Sequence, residues 1–158
     1  MLYFITMKTL RLLLVMCLVC AHSATAVVHP TLAQQRQQVD KVKETKTLRG
    51  RFVGFEIGDY THAVIRKGDG KRTSFFINQP GMDYFLASHK GQSLELTYQV
   101  VDTYIPEAGG VETIERLVSA RAGNVTYREW WKKVKASASM RQIERRYDPL
   151  VRASVINQ

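Results

Sequence analysis

The segment GDYTHAVI (58–65) places Asp59 three residues before His62. A carboxylate that orients an imidazole is the pairing a general base needs. A triad would also require a nucleophile such as Ser74, and no G-x-S-x-G elbow surrounds that serine. Asp59 is equally the natural residue of a tight turn between two strands, so the pair is assigned no catalytic role. Glu56, Asp59, Arg66 and Arg72 are the residue types of a calcium-dependent nuclease, with carboxylates for the metal and arginines for the scissile phosphate. No D-x-D pair stands near them. Asp69 is isolated between Gly68 and Gly70, and Glu107, Glu112 and Glu115 alternate too loosely to cradle a metal. His22, His29, His62 and His89 show no zinc-ligand spacing. No catalytic residue, metal or cofactor is expected.

Binding chemistry is better represented. In YTHAVIRK (60–67), alternation puts Tyr60, His62, Val64 and Arg66 on one side of a strand. In KRTSFFIN (71–78) it groups Arg72, Ser74, Phe76 and Asn78. Pairing these sets interleaves the rings of Tyr60, His62 and Phe76 with Arg66 and Arg72. Rings stack on bases or sugar faces, and guanidinium groups grip oxyanions. The other candidates are Trp130 and Trp131, adjacent in REWWKKVKASASMRQIERR (128–146) among many cations. Adjacent side chains on a helix diverge by about 100°, so the two indoles cannot share one direction. The expected arrangement packs one on the domain and leaves the other at its margin. Peripheral membrane contact through a 126–147 helix, or stacking on a ligand, are the alternatives.

Several short elements must position these residues. LRGRFVGFEI (48–57) reads as a strand bent at Gly50 and Gly54. GD (58–59) and GDG (68–70) are turns around strands 60–67 and 71–78. MDYFLASHKG (82–91) is a short helix with Met82, Tyr84, Phe85 and Leu86 on its apolar side. SLELTYQVVDTYI (93–105) alternates as a half-buried strand, PEAGG (106–110) is a loop, and VETIERLVSARA (111–122) is the fifth strand. From Thr126 the pattern is helical, loosened at SAS (137–139) and ended by Pro149.

The order β-β-β-α-β-β, with a glycine-bent first strand, resembles an OB-fold domain of an exported bacterial protein over about residues 46–123. The resemblance rests on element order and on no diagnostic motif. It implies a mainly β, five-stranded Greek-key barrel that binds oligonucleotides or oligosaccharides on strands two and three. The expected organisation is a signal peptide (1–26), a flexible leader (27–46) with a short helix at 32–43, the barrel (47–123), and a basic C-terminal helix and tail (124–158).

Export is read from the N-terminus. Lys8 and Arg11 precede the apolar run LLLVMCLVCA (12–21), and Ala24-Thr25-Ala26 is a small-x-small cleavage pattern. Met7 begins a complete signal by itself and is a candidate start. Both cysteines, Cys17 and Cys20, lie within this segment, so the rest of the chain has no thiol for a disulfide, a metal or nucleophilic attack. Val19 and Met16 precede them, which does not suit lipidation. Formal charge is +9 on 158 residues, and +7 without Lys8 and Arg11. A basic exported domain favours anionic partners. The expected function is therefore a periplasmic or secreted, non-catalytic binding module. It would recognise an oligonucleotide, an acidic glycan or an envelope protein through Tyr60, His62, Arg66, Arg72 and Phe76, with Trp130 and Trp131 at the margin. A secreted nuclease or other hydrolase on the same barrel, and a structural component of an envelope assembly, are the alternatives.

Overall fold

The computed structural model describes residues 40–156. The expected signal peptide (1–26) and the expected leader as far as residue 39 lie outside the described residues. The chain forms a mainly β domain. Its strands are β1 (Lys41–Ile57), β2 (Thr61–Lys67), β3 (Arg72–Phe76), β4 (Ser93–Ile105), β5 (Gly110–Ala122) and β6 (Val125–Thr126). Helix α1 (Met82–Ser88) lies between β3 and β4, and α2 (Tyr127–Ser137) and α3 (Met140–Arg152) follow β6. The strands make one six-stranded sheet in the order β3-β2-β1-β4-β5-β6. Its neighbours are antiparallel, and a further parallel pairing sets Phe76 of β3 opposite Arg116 of β5.

β1 serves two partners in turn. Lys41–Arg51 pair with β4, and Gly50–Ile57 pair with β2. Lys41–Lys46 therefore correct the expectation of a flexible leader to residue 46 and of helix at 40–43. Alone they read as polar and mobile. In the fold, the backbone of Tyr98–Asp102 offers them a ladder. Asp40 is held beside it by Arg116 and by the Thr103 hydroxyl, which donates at 2.5 Å.

Alternation then sorts each strand. Phe52, Phe55, Ala63, Ile65, Phe75, Leu94, Leu96 and Leu117 are buried, and α1 adds Met82, Phe85, Leu86 and Ala87 to the same core. The helical segment closes over α1. Thr126 caps α2 reciprocally with Glu129, and Ser139 caps α3 with Gln142, which explains why the chain breaks at Ala138 and restarts. Pro149 does not end the second helix as expected; α3 continues to Arg152. The proline lacks an N–H, but it is exposed, so water can satisfy the freed carbonyl, and its own carbonyl accepts from Ala153.

One ionisable group in this layer works against the fold. Burial pushes the Asp83 carboxyl up from 3.8, with Asp148 adding to the rise and backbone N–H groups of Tyr84 and Asp83 opposing it. A raised folded value means the folded state holds the proton more tightly. The associated stability is full below pH 3.8 and falls as pH rises through the folded value. Asp83→Asn is expected to raise the thermal midpoint at about pH 7 and to leave it unchanged near pH 3. Equal shifts at both pH values would contradict this assignment.

Candidate functional site

The cross-strand register fixes the outer face of β1, β2 and β3. Arg51 stands opposite Arg66, which stands opposite Arg72. Further along, Gly54, Val64 and Ser74 are aligned, and then Glu56, His62 and Phe76. Four of the five barrel residues expected from sequence, His62, Arg66, Arg72 and Phe76, therefore belong to one side of the sheet, and Tyr60, just before β2, joins them through its contact with Phe76. The structure divides them into two ends.

At one end, the Tyr60 ring meets Phe76 edge-on at 5.3 Å, and His62 meets the same ring at 6.1 Å. This trio is edged with carboxylates. The Tyr60 hydroxyl donates to Glu107, which raises the tyrosine pKa and lowers that of the glutamate. The Ser74 hydroxyl donates to Glu56 at 2.8 Å. His62 makes no hydrogen bond to Asp59 among the described residues, and Asp59 is a turn residue. No three His, Cys, Asp or Glu among the described residues converge as metal ligands. Glu56 lies in register with His62, four residues along β2 from Arg66. At roughly 3.3 Å per residue their backbone positions are about 13 Å apart.

At the other end, Arg51, Arg66 and Arg72 form a row across three strands. All three are exposed, and none joins an ion pair among the described residues. Arg51 and Arg66, with Arg49, Lys67 and the Gly68–Gly70 turn, line a cleft of about 430 Å³. Arg49 is 3.4 Å from Glu95, which Arg121 also holds at 2.5 Å; those two guanidinium groups lower the Glu95 pKa. Sequence reasoning missed Arg51. Its only signal was its place beside the glycine bend in LRGRF, where the strand passes from one partner to the other.

The middle of the face is closed on β1 and β2, whereas Ser74 of β3 stays exposed. The C-terminal segment runs along the β1 edge that β4 leaves free beyond Arg51. Phe55 donates to the Ser154 carbonyl and accepts from Ile156, each at 2.8 Å. A side chain at Gly54 would meet Ile156 at 2.4 Å and the Ser154 carbonyl at 2.5 Å. Val64, opposite Gly54, is only 2% exposed.

The tryptophans sit elsewhere, in the helical layer. Trp131 is 9% exposed and lies against Gly81, where a Cβ would be 2.6 Å from the indole. Gly81 has a φ of 79°, so both its conformation and its lack of a side chain are needed. Trp130 is half-buried. Its ring meets Phe85 at 5.5 Å and Tyr147 at 5.3 Å, both edge-on. It also lines a groove of about 450 Å³ between α2 and α3, with Val134, Ile143 and Tyr147 below and Lys133 and Arg146 above. Trp131 thus packs inward and Trp130 lies at the margin of the core, its ring near-parallel to that of Trp131 at 6.2 Å. Among the described residues no helix is long and apolar enough to cross a membrane. Compared with known proteins, the chain matched no family model, no curated protein and no solved structure.

Proposed function

We propose that this chain is an exported, non-catalytic binding module on an OB-like barrel, and that it recognises an anionic ligand at the Arg51–Arg66–Arg72 row. The barrel reading is supported by the strand order together with the Phe76–Arg116 pairing, which brings the sheet's far strands together, and by α1 between β3 and β4. OB barrels commonly present strands two and three to their ligands. Export is supported by the N-terminal charge and apolar pattern alone.

The arginine row is the observation that carries the reading. Like charges directly opposite on neighbouring strands destabilise a sheet. Three arginines in register, without acidic partners among the described residues, are a local cost that an oxyanion would relieve. Guanidinium groups bind phosphate and carboxylate in paired, charge-assisted hydrogen bonds.

Two results follow for the triple variant Arg51→Ala, Arg66→Ala, Arg72→Ala. At low salt its unfolding free energy should equal or exceed that of the parent by up to about 1 kcal/mol, because cross-strand repulsion is gone. Its stabilisation by an added oligonucleotide or acidic glycan should vanish. A folded triple variant whose polyanion response matches the parent would overturn the site.

A further inference from the structure

We infer that the arginine row recognises closely spaced phosphate groups by their oxygens alone, without stacking a base or sugar ring. This rests on the anion-binding reading above and names its ligand chemistry. Proteins that hold single-stranded nucleic acid combine a basic groove with aromatic platforms on which successive bases stack. Here the two ingredients are separated. Arg66 lies four residues along β2 from His62; between them Gly54 lies against Ile156 and Val64 is buried, while the exposed Ser74 of β3 gives its hydroxyl to Glu56. A nucleotide gripped at Arg66 finds no aromatic ring in the row. The aromatic end also carries Glu56 and Glu107, whose charge repels a phosphate chain led along the strands.

The arginine end is suited to a dense anion. Arg51, Arg66 and Arg72 stand on adjacent strands spaced about 4.8 Å apart, so three positive charges fall within about 10 Å. A phosphate monoester carries close to two negative charges at neutral pH and takes bidentate arginine contacts. The Gly68 and Gly70 positions at the rim have open space where side chains would stand, which leaves the cleft accessible. Adjacent phosphates of this kind occur free, as oligophosphate, or on a lipid or glycan headgroup. The row treats these alike.

The test uses the folded protein with four probes: inorganic tripolyphosphate, an oligothymidylate, a base-free deoxyribose-phosphate strand of the same length, and vesicles containing phosphatidic acid. Tripolyphosphate is expected to raise the thermal midpoint. The base-free strand should bind as tightly as oligothymidylate, and Tyr60→Ala with Phe76→Ala should leave both unchanged. Arg66→Ala with Arg72→Ala should weaken all of them by roughly tenfold or more. Vesicle binding that tripolyphosphate displaces, and that Arg66→Ala with Arg72→Ala weakens, places headgroup phosphate at the row and supports the inference. Vesicle binding that resists tripolyphosphate and survives that double variant is made elsewhere and counts against the headgroup as a ligand of the row. Oligothymidylate binding about tenfold tighter than the base-free strand, with the advantage lost in the Tyr60 and Phe76 variant, overturns the inference while the anion site stands. No response to any probe, in a parent protein shown to be folded, overturns both.

Discussion

Trp131→Ala is expected to destabilise the domain by about 3–5 kcal/mol, the range for truncating a buried tryptophan. The size of the effect follows from its surroundings. One face of the indole rests on Gly81, which has no side chain to move into the vacated space. Tyr84 lies 6.1 Å away and is tied by its hydroxyl to Asp148 at 2.8 Å, so it cannot easily collapse inward. The cavity therefore stays open, and the cost adds to the lost burial. Trp130→Ala should cost less, about 1–2 kcal/mol, because that ring is half-buried at a groove. Urea unfolding gives both numbers. Each single variant also isolates one fluorophore: the remaining Trp131 should be protected from an aqueous quencher, and the remaining Trp130 should be more accessible. A Trp131→Ala loss below about 1 kcal/mol would remove the indole from the core.

The second large effect concerns the C-terminal segment. Deleting residues 154–158 is expected to cost about 3 kcal/mol, from two backbone hydrogen bonds at Phe55 and the contact of Ile156. Gly54→Ala should cost a comparable amount in the full chain, since the new methyl occupies the position of Ile156 and the Ser154 carbonyl. In the truncated chain the sign should reverse. Alanine in a strand is more stable than glycine by roughly 0.5–1 kcal/mol when nothing obstructs it. This cycle separates a steric conflict from an intrinsic backbone preference. Additive losses would mean that Gly54 serves some need other than the tail. Truncation also removes Ile156 from Gly54, between the arginine and aromatic ends of the face, so it is a direct way to ask whether the tail keeps them apart.

The sequence by itself determined the local features. Alternation in 60–67, 71–78, 93–105 and 111–122 identified β2–β5, because a half-buried strand writes its two faces into every second residue. The turn glycines, the short helix at Met82 and the break at Ser137–Ser139 were legible for the same reason: each is set by neighbours a few positions away. So was the grouping of His62, Arg66, Arg72 and Phe76 on one side of the sheet. Only the tertiary structure decided how that side is used. Lys41–Lys46 become strand because β4, more than fifty residues later, supplies their hydrogen bonds. Arg51 joins Arg66 and Arg72 through a register between strands that no local pattern encodes. Ser154 and Ile156 return to Phe55 and divide the face, a contact across about a hundred residues. Trp131 is core and Trp130 marginal because Gly81, the residue before α1, leaves room for one of them. Periodicity reports which residues want to be buried; which distant partner buries them depends on chain reversals and packing that appear only when the whole domain closes.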